Sequence, residues 1–173
     1  MNIIVNVDKN WAIGCKGQLL FPISQDLKRF KALTIGKVVI MGRKTLESLP
    51  GGKPLKGRKN IVLSSALGVT EEESKETGLY VCKSIEALLE LLKTEDFAGF
   101  SAEDFFVIGG ENIYSQLLPY CQKALVTKVE AAAENADAFF PNLETLPNWQ
   151  IEARSETFYQ DELAYSFVDY KCV

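Results

Sequence analysis

The chain has 173 residues, 47% of them hydrophobic and 24% charged, the balance of an ordinary globular protein large enough to bury a core. Its net charge of −4 argues against general binding to nucleic acid or anionic membranes. It contains no histidine, which excludes Ser-His-Asp and Cys-His nucleophile systems and any His-ligated metal.

Two further absences narrow the field. No run approaches the roughly 20 apolar residues of a membrane span, and the first residues lack a signal peptide's basic start and long apolar stretch. The expected compartment is the cytoplasm. Cys15, Cys82, Cys121 and Cys172 lie far apart without a C-x-x-C spacing. They are read as plain thiols, with no metal site. Acid-base work would then fall to a carboxylate, Lys, Tyr, Cys or water, or the hard step to a cofactor.

In chain order, segment 2–8 reads as a strand that becomes a continuous apolar run. Segment 9–23 is loop-like, with Gly14, Gly17 and Pro22. Ser24 is taken as an N-cap. Leu27, Phe30 and Leu33 then recur at helical spacing over 25–33, and Gly36 can close the helix. Residues 37–41 form a strand covered on both faces, followed by a short helix over 43–49 and a turn cluster at 50–54. A strand is predicted at 60–64, a polar loop at 68–78 and a strand at 79–82. Ser84 then caps a helix over 85–93.

Residues 94–103 read as a loop, 105–108 as a central strand, and 111–118 as a helix with Pro119 near its end. Strands follow at about 123–130, 150–159 and 163–172. Repeated β-α units followed by β alone predict a single α/β domain over 1–173. Its central sheet is twisted and mostly parallel, with helices on both faces and an antiparallel C-terminal edge.

Ligands of open α/β sheets gather beyond the carboxyl ends of the strands. Three such ends carry suitable residues. At Met41-Gly42-Arg43-Lys44-Thr45, a glycine allows close backbone approach and the following residues add charge and a hydroxyl, which suits phosphate. An ordinary tight turn with two solvated basic residues would look the same. Val107-Ile108-Gly109-Gly110-Glu111-Asn112-Ile113-Tyr114 repeats the strand-glycine-helix pattern without the full G-x-G-x-x-G spacing. Leu63-Ser64-Ser65 offers two hydroxyls, either for a turn or for a phosphate. Two phosphate-suited turns in one chain suggest a dinucleotide.

Asp26 can be read in two ways. An acid in a first helical turn favours the helix dipole by about 0.3–1 kcal/mol. Its neighbours Leu20, Phe21, Ile23, Leu27 and Phe30 are apolar, however, and partial burial there works against ionisation. Such a carboxylate could hold a nitrogen-rich heterocycle by a two-point hydrogen bond.

Five blocks now fall into one order. They are Ala12-Ile13-Gly14; Phe21 through Asp26-Leu27 to Phe30-Lys31; Val39 to Thr45 with Glu47-Ser48; Leu55 with Gly57-Arg58-Lys59-Asn60; and Val107 to Gly110 with Tyr114. Over nearly its whole length the chain resembles bacterial dihydrofolate reductases. The resemblance implies that fold, together with NADPH-dependent reduction of 7,8-dihydrofolate to tetrahydrofolate and sensitivity to antifolates. It also implies a monomer, without nucleic-acid or membrane partners.

By this resemblance Asp26 binds the pterin's amino group and ring nitrogen, and Thr127 orients it. Phe21 and Tyr114 join them at the reacting end, Tyr114 near the nicotinamide. Ile4, Leu27, Phe30, Leu49, Leu55 and Ile108 wall the substrate, with Val5, Asn6, Leu19 and Lys31 beside them. Arg58 pairs with the glutamate α-carboxylate, a contact that suits the guanidinium fork.

The implied cofactor contacts are Asn6, Ile13 and Gly14; Gly42, Arg43, Lys44 and Thr45; Leu63, Ser64, Ser65 and Lys83; and Ile108 through Tyr114 with Gln116. These include Glu111, Asn112, Ile113 and the pair Gly109-Gly110, which the family joins by a cis peptide. Residues 9–23 correspond to a mobile loop over the nicotinamide. The sequence departs from the family in three places. Phe21 replaces a frequent Trp, Asn6 a usual Ala, and Ser24 a common Pro. Two other readings stay open: a reductase of the same fold acting on a pyrimidine of riboflavin synthesis, and a non-catalytic nucleotide-binding module.

Overall fold

Alternation along each strand decides which of two apolar layers a side chain joins. The structure, a computed structural model, describes residues 1–173. In chain order its elements begin with β1 (Asn2–Val7), β2 (Ala12–Cys15), β3 (Gln18–Leu19), α1 (Ser24–Thr34), β4 (Val38–Gly42) and α2 (Arg43–Ser48). Next come β5 (Lys59–Leu63), α3 (Glu71–Thr77), β6 (Leu79–Cys82), α4 (Ile85–Leu91), β7 (Phe105–Gly109) and α5 (Glu111–Leu117). The last strands are β8 (Lys123–Val129), β9 (Ala138–Phe139), β10 (Trp149–Arg154), β11 (Phe158–Gln160) and β12 (Leu163–Cys172).

The main sheet runs β10-β12-β8-β1-β7-β4-β5-β6, with β11 also paired to β12. Pairings from β8 across to β6 are parallel, and those made by β12 are antiparallel. Ile3, Val5, Val7, Val38, Ile40 and Val107 pack with Leu88 of α4 and with Ile113, Tyr114 and Leu117 of α5. Ile4, Val39, Met41, Val62 and Phe106 pack on the other face with Leu46 of α2 and with Phe30 and Leu33 of α1. Helices therefore cover both faces, which is why the inner strands are apolar at consecutive positions. Full burial of each such side chain contributes about 1.5–3 kcal/mol. No helix is long and apolar enough to cross a membrane. Burial pushes the Cys82 thiol up to about 11 and the Cys121 thiol up to about 12, so both stay protonated at neutral pH.

The structure corrects the sequence reading in four places. The segment 9–23 is not all loop: β2 and β3 form a hairpin whose β2 also pairs with β9. Residues 71–77 of the expected 68–78 loop are helical. Thr70 and Glu73 form a reciprocal capping box there, and Gly78 ends the helix at φ 71°. This helix buries only Ser74, so it carries no apolar stripe to read. The strand expected over 150–159 is two strands. Between them the Ser155 N–H donates to the Phe167 carbonyl and its Oγ accepts from the Phe167 N–H. Finally, the cap of α1 is Ile23 rather than Ser24. Ser24 is the first helical residue, and its N–H donates to Gln160 Oε1 at 2.8 Å.

Asp104 ties the turn before β7 to the start of β4. Lys37 donates to it, as do the Ser101 N–H at 2.8 Å and the Ser101 hydroxyl at 2.9 Å. These contacts, Lys37 foremost, hold its carboxyl down at about 2. A depressed carboxylate stabilises the fold fully above its unfolded value near ~4, and the contribution fades as pH falls toward about 2. Lys37 is 42% exposed, so solvent screening limits the effect to roughly 1 kcal/mol. Asp104→Asn is therefore expected to lower the thermal midpoint at pH 7 and to match the unmodified protein near pH 2. Equal loss at both pH values would refute the assignment.

Candidate active site

The register of the central strands sets the site. Asn6 on β1 lies opposite Thr127 on β8, and Asp26 of α1 reaches both. Thr127 Oγ1 donates to Asp26 Oδ1 at 2.5 Å, and Asn6 Nδ2 donates to Asp26 Oδ2 at 3.0 Å. Asp26 is half-buried, whereas Thr127 is only 1% exposed. A carboxylate offers about four acceptor directions, so each oxygen keeps room for an incoming donor.

Other contacts fix α1. Tyr165 on β12 donates to Gln25 Oε1, and Arg29 Nη2 pairs with Asp169 Oδ1 at 2.9 Å. The Arg29 guanidinium lies 4.5 Å from the centre of the Phe167 ring. Gln160 on β11 accepts from the Ser24 N–H and donates to the Pro22 carbonyl, holding the turn into the helix.

From Asp26 an apolar floor runs along the sheet. Phe30, Leu49, Leu55 and Ile108 pack around one buried cluster that includes Ile4. Leu27 and Leu19 are about half exposed, at 50% and 49%, and stand outside that packing. Val5 faces the opposite layer, and Lys31 is exposed. At the far end of α1, Arg58 donates through Nη1 to Thr34 Oγ1 at 3.2 Å and through Nε to the Lys56 carbonyl at 3.1 Å. Burial pushes its guanidinium below the usual arginine value. The rest of its donor fork stays available.

A second row of residues follows the adjacent strand ends. Met41 lies opposite Gly109, Gly42 opposite Leu63, and Leu63 opposite Cys82. The residues that follow each strand, Arg43-Lys44-Thr45, Ser64-Ser65 and Lys83, therefore leave the sheet along one edge. Gly109 and Gly110 are joined by a cis peptide. A Cβ at Gly42 would meet Ile113 Cγ1 at 3.0 Å, and one at Gly109 would meet the Tyr114 ring at 3.4 Å. Thr45 Oγ1 lies 3.5 Å from Cβ positions at both Gly109 and Gly110.

Several neighbours are already engaged. Tyr114 is buried and donates to the Ile4 carbonyl at 2.8 Å; burial first, then the Asp26 charge, pushes its phenol far above the usual range. Arg43 pairs with Glu47 at 2.6 Å in an exposed ion pair. Ser64 Oγ accepts from the Ala66 and Leu67 N–H groups, in the manner of a turn cap. Asn112 accepts from Gln116 on the exposed side of α5.

The loop of residues 9–23 is anchored at both ends. Asp8, 1% exposed, accepts from the N–H groups of Asn10, Ala12 and Ala133. Ile13 packs on the core, and Gly14 accepts from the Asp137 N–H. Glu111 Oε1 accepts from the Phe139 N–H, joining α5 to β9. At the other end, the Phe21 carbonyl accepts from Asn6 Nδ2 at 3.2 Å, while its ring packs near Ile23, Val129 and Tyr165. Sequence reasoning missed two of these roles. The amide of Asn6 bridges Asp26 and Phe21, and Asp8 clamps two loops. A short polar side chain in an apolar strand was the available signal for Asn6.

The fold and site together define an α/β protein with a half-buried carboxylate near an apolar cluster and phosphate-suited strand ends. The family model for dihydrofolate reductase matches residues 1–172. The chain is 37% identical to the dihydrofolate reductase of Neisseria gonorrhoeae over 98% of its own length and 96% of that protein's. It is 34% identical to that of Bacillus subtilis over 96% of itself and 90% of the relative. Identity to a dihydrofolate reductase type 3 of Salmonella typhimurium is 32%, covering 96% and 93%. The chain belongs to the dihydrofolate reductase family.

Thr127→Val keeps the shape of the side chain but removes the donor to Asp26. Leaving that half-buried oxygen without its partner is expected to cost about 1–3 kcal/mol, read as a lowered urea midpoint. An unchanged midpoint would mean that the bond contributes nothing to stability.

Proposed function

We propose that the chain reduces 7,8-dihydrofolate to 5,6,7,8-tetrahydrofolate with NADPH as electron source, working as a cytoplasmic monomer. The half-buried Asp26 carboxylate, held from two strands, carries this reading.

In it, the acceptor directions left on the two Asp26 oxygens receive the pterin's amino group and ring nitrogen. Ile4, Phe30, Leu49, Leu55 and Ile108 enclose the flat ring, and Leu27 covers its outer side. The free part of the Arg58 fork pairs with the glutamate α-carboxylate. Asp26 favours the protonated substrate electrostatically without itself delivering the proton to N5. With no histidine in the chain and Asp26 bonded away from N5, water is the proton donor in this reading.

NADPH, when bound, supplies the hydride that reaches pterin C6. The residues present suit it. Gly42 leaves a gap that a Cβ would close against Ile113, and the backbone at Gly109, with φ 126°, suits glycine. Arg43, Lys44 and Lys83 supply positive charge, and Thr45, Ser64 and Ser65 supply hydroxyls. The exposed Arg43–Glu47 pair is weak and can be exchanged for a phosphate contact at little cost. Residues 9–23 close over the reacting end and limit the entry of water.

NADPH absorbance should fall when dihydrofolate is added. Asp26→Asn should lower turnover at neutral pH by roughly a hundredfold or more while keeping the thermal transition. A folded protein that oxidises no NADPH with dihydrofolate, or an Asp26→Asn variant of full activity, would overturn the proposal.

A further inference from the structure

Asn6, which the resemblance implies as a contact of substrate and cofactor, donates instead to Asp26 itself. We propose that Asn6 is a positioning residue whose carboxamide holds Asp26 in the orientation that receives the pterin. This inference rests on the dihydrofolate reading.

The amide's orientation follows from chemistry. Its nitrogen faces two acceptors, Asp26 Oδ2 at 3.0 Å and the Phe21 carbonyl at 3.2 Å. The flipped amide would set an oxygen against both, so the NH2 end must face them. Both N–H groups are then engaged, and the amide cannot turn freely.

The consequence falls on Asp26. The terminal torsion of an aspartate is broad, so a carboxylate held at one oxygen can still swing. Thr127 holds Oδ1 alone. With Asn6 on Oδ2, both oxygens are fixed from neighbouring strands whose register places Asn6 opposite Thr127. A two-point contact to a planar heterocycle needs that fixed plane. The same amide links Asp26 to Phe21, at the end of the loop over the site.

The test compares equilibrium dihydrofolate binding and steady-state kinetics for the unmodified protein, Asn6→Ala, Asp26→Ala and the double variant. Freeing one of the two held oxygens of Asp26 acts on the substrate indirectly and is expected to weaken dihydrofolate binding roughly 3- to 10-fold and to raise KM to match. The hold acts in ground and transition states alike, so kcat should stay within about twofold. In the Asp26→Ala background, Asn6→Ala should have no effect, because its target is gone.

Equal losses in both backgrounds, no loss in either, or a loss confined to kcat would overturn the role of Asn6 while leaving dihydrofolate as substrate. Failure of the unmodified protein to bind dihydrofolate would overturn both. Asn6→Leu, similar in size and lacking donors, carries the same expectations should Asn6→Ala fold poorly.

Discussion

A carboxylate drawn partly out of water requires donors, and much of this structure is arranged around supplying them to Asp26. Thr127 and Asn6 come from adjacent parallel strands and meet it from below. Their convergence depends on where α1 lies. Three ties to the antiparallel edge fix that position: Gln25 with Tyr165, Arg29 with Asp169 and Phe167, and Gln160 with the turn at 22–24. The C-terminal strands therefore act as the scaffold of the helix that carries the acid.

The parallel strands do a second job. Their register aligns the ends of β7, β4, β5 and β6, so residues from distant parts of the chain emerge along one edge. At that edge the side chains must be small. A Cβ on Gly42 would press on Ile113 at 3.0 Å, and Gly109 takes a φ of 126° that side chains rarely adopt. The apolar cluster around Ile4 and this glycine-bearing edge meet at Ile108, near the end of β7. One sheet thus brings a heterocycle site and a phosphate-suited surface together.

How much of this could be read in advance varied with the type of signal. The strands at 38–42, 59–63 and 105–109 follow from continuous apolar runs between glycines and turns. The helix 24–34 follows from Leu27, Phe30 and Leu33. Residues 71–77 read as loop because this helix is bounded by its caps at Thr70 and Gly78 and has no apolar stripe. The split between β10 and β11 was hidden because Ser155 substitutes a side-chain contact for part of the ladder. The short pairing of β2 with β9 joins segments more than a hundred residues apart and leaves no local pattern.

By itself the sequence determined the class of the fold, the absence of imidazole chemistry, the strand-end glycines and the identity of the candidate acid. Those properties reside in composition, periodicity and short motifs, which are local. The resemblance of five motif blocks to one family supplied the rest of the expectation. Tertiary structure alone decided what touches Asp26. Residue 6 and residue 127 meet it only because β1 and β8 pair in one register and α1 is pinned across them. A hydrogen bond depends on position to within tenths of an ångström, and only the assembled sheet and helix set that position.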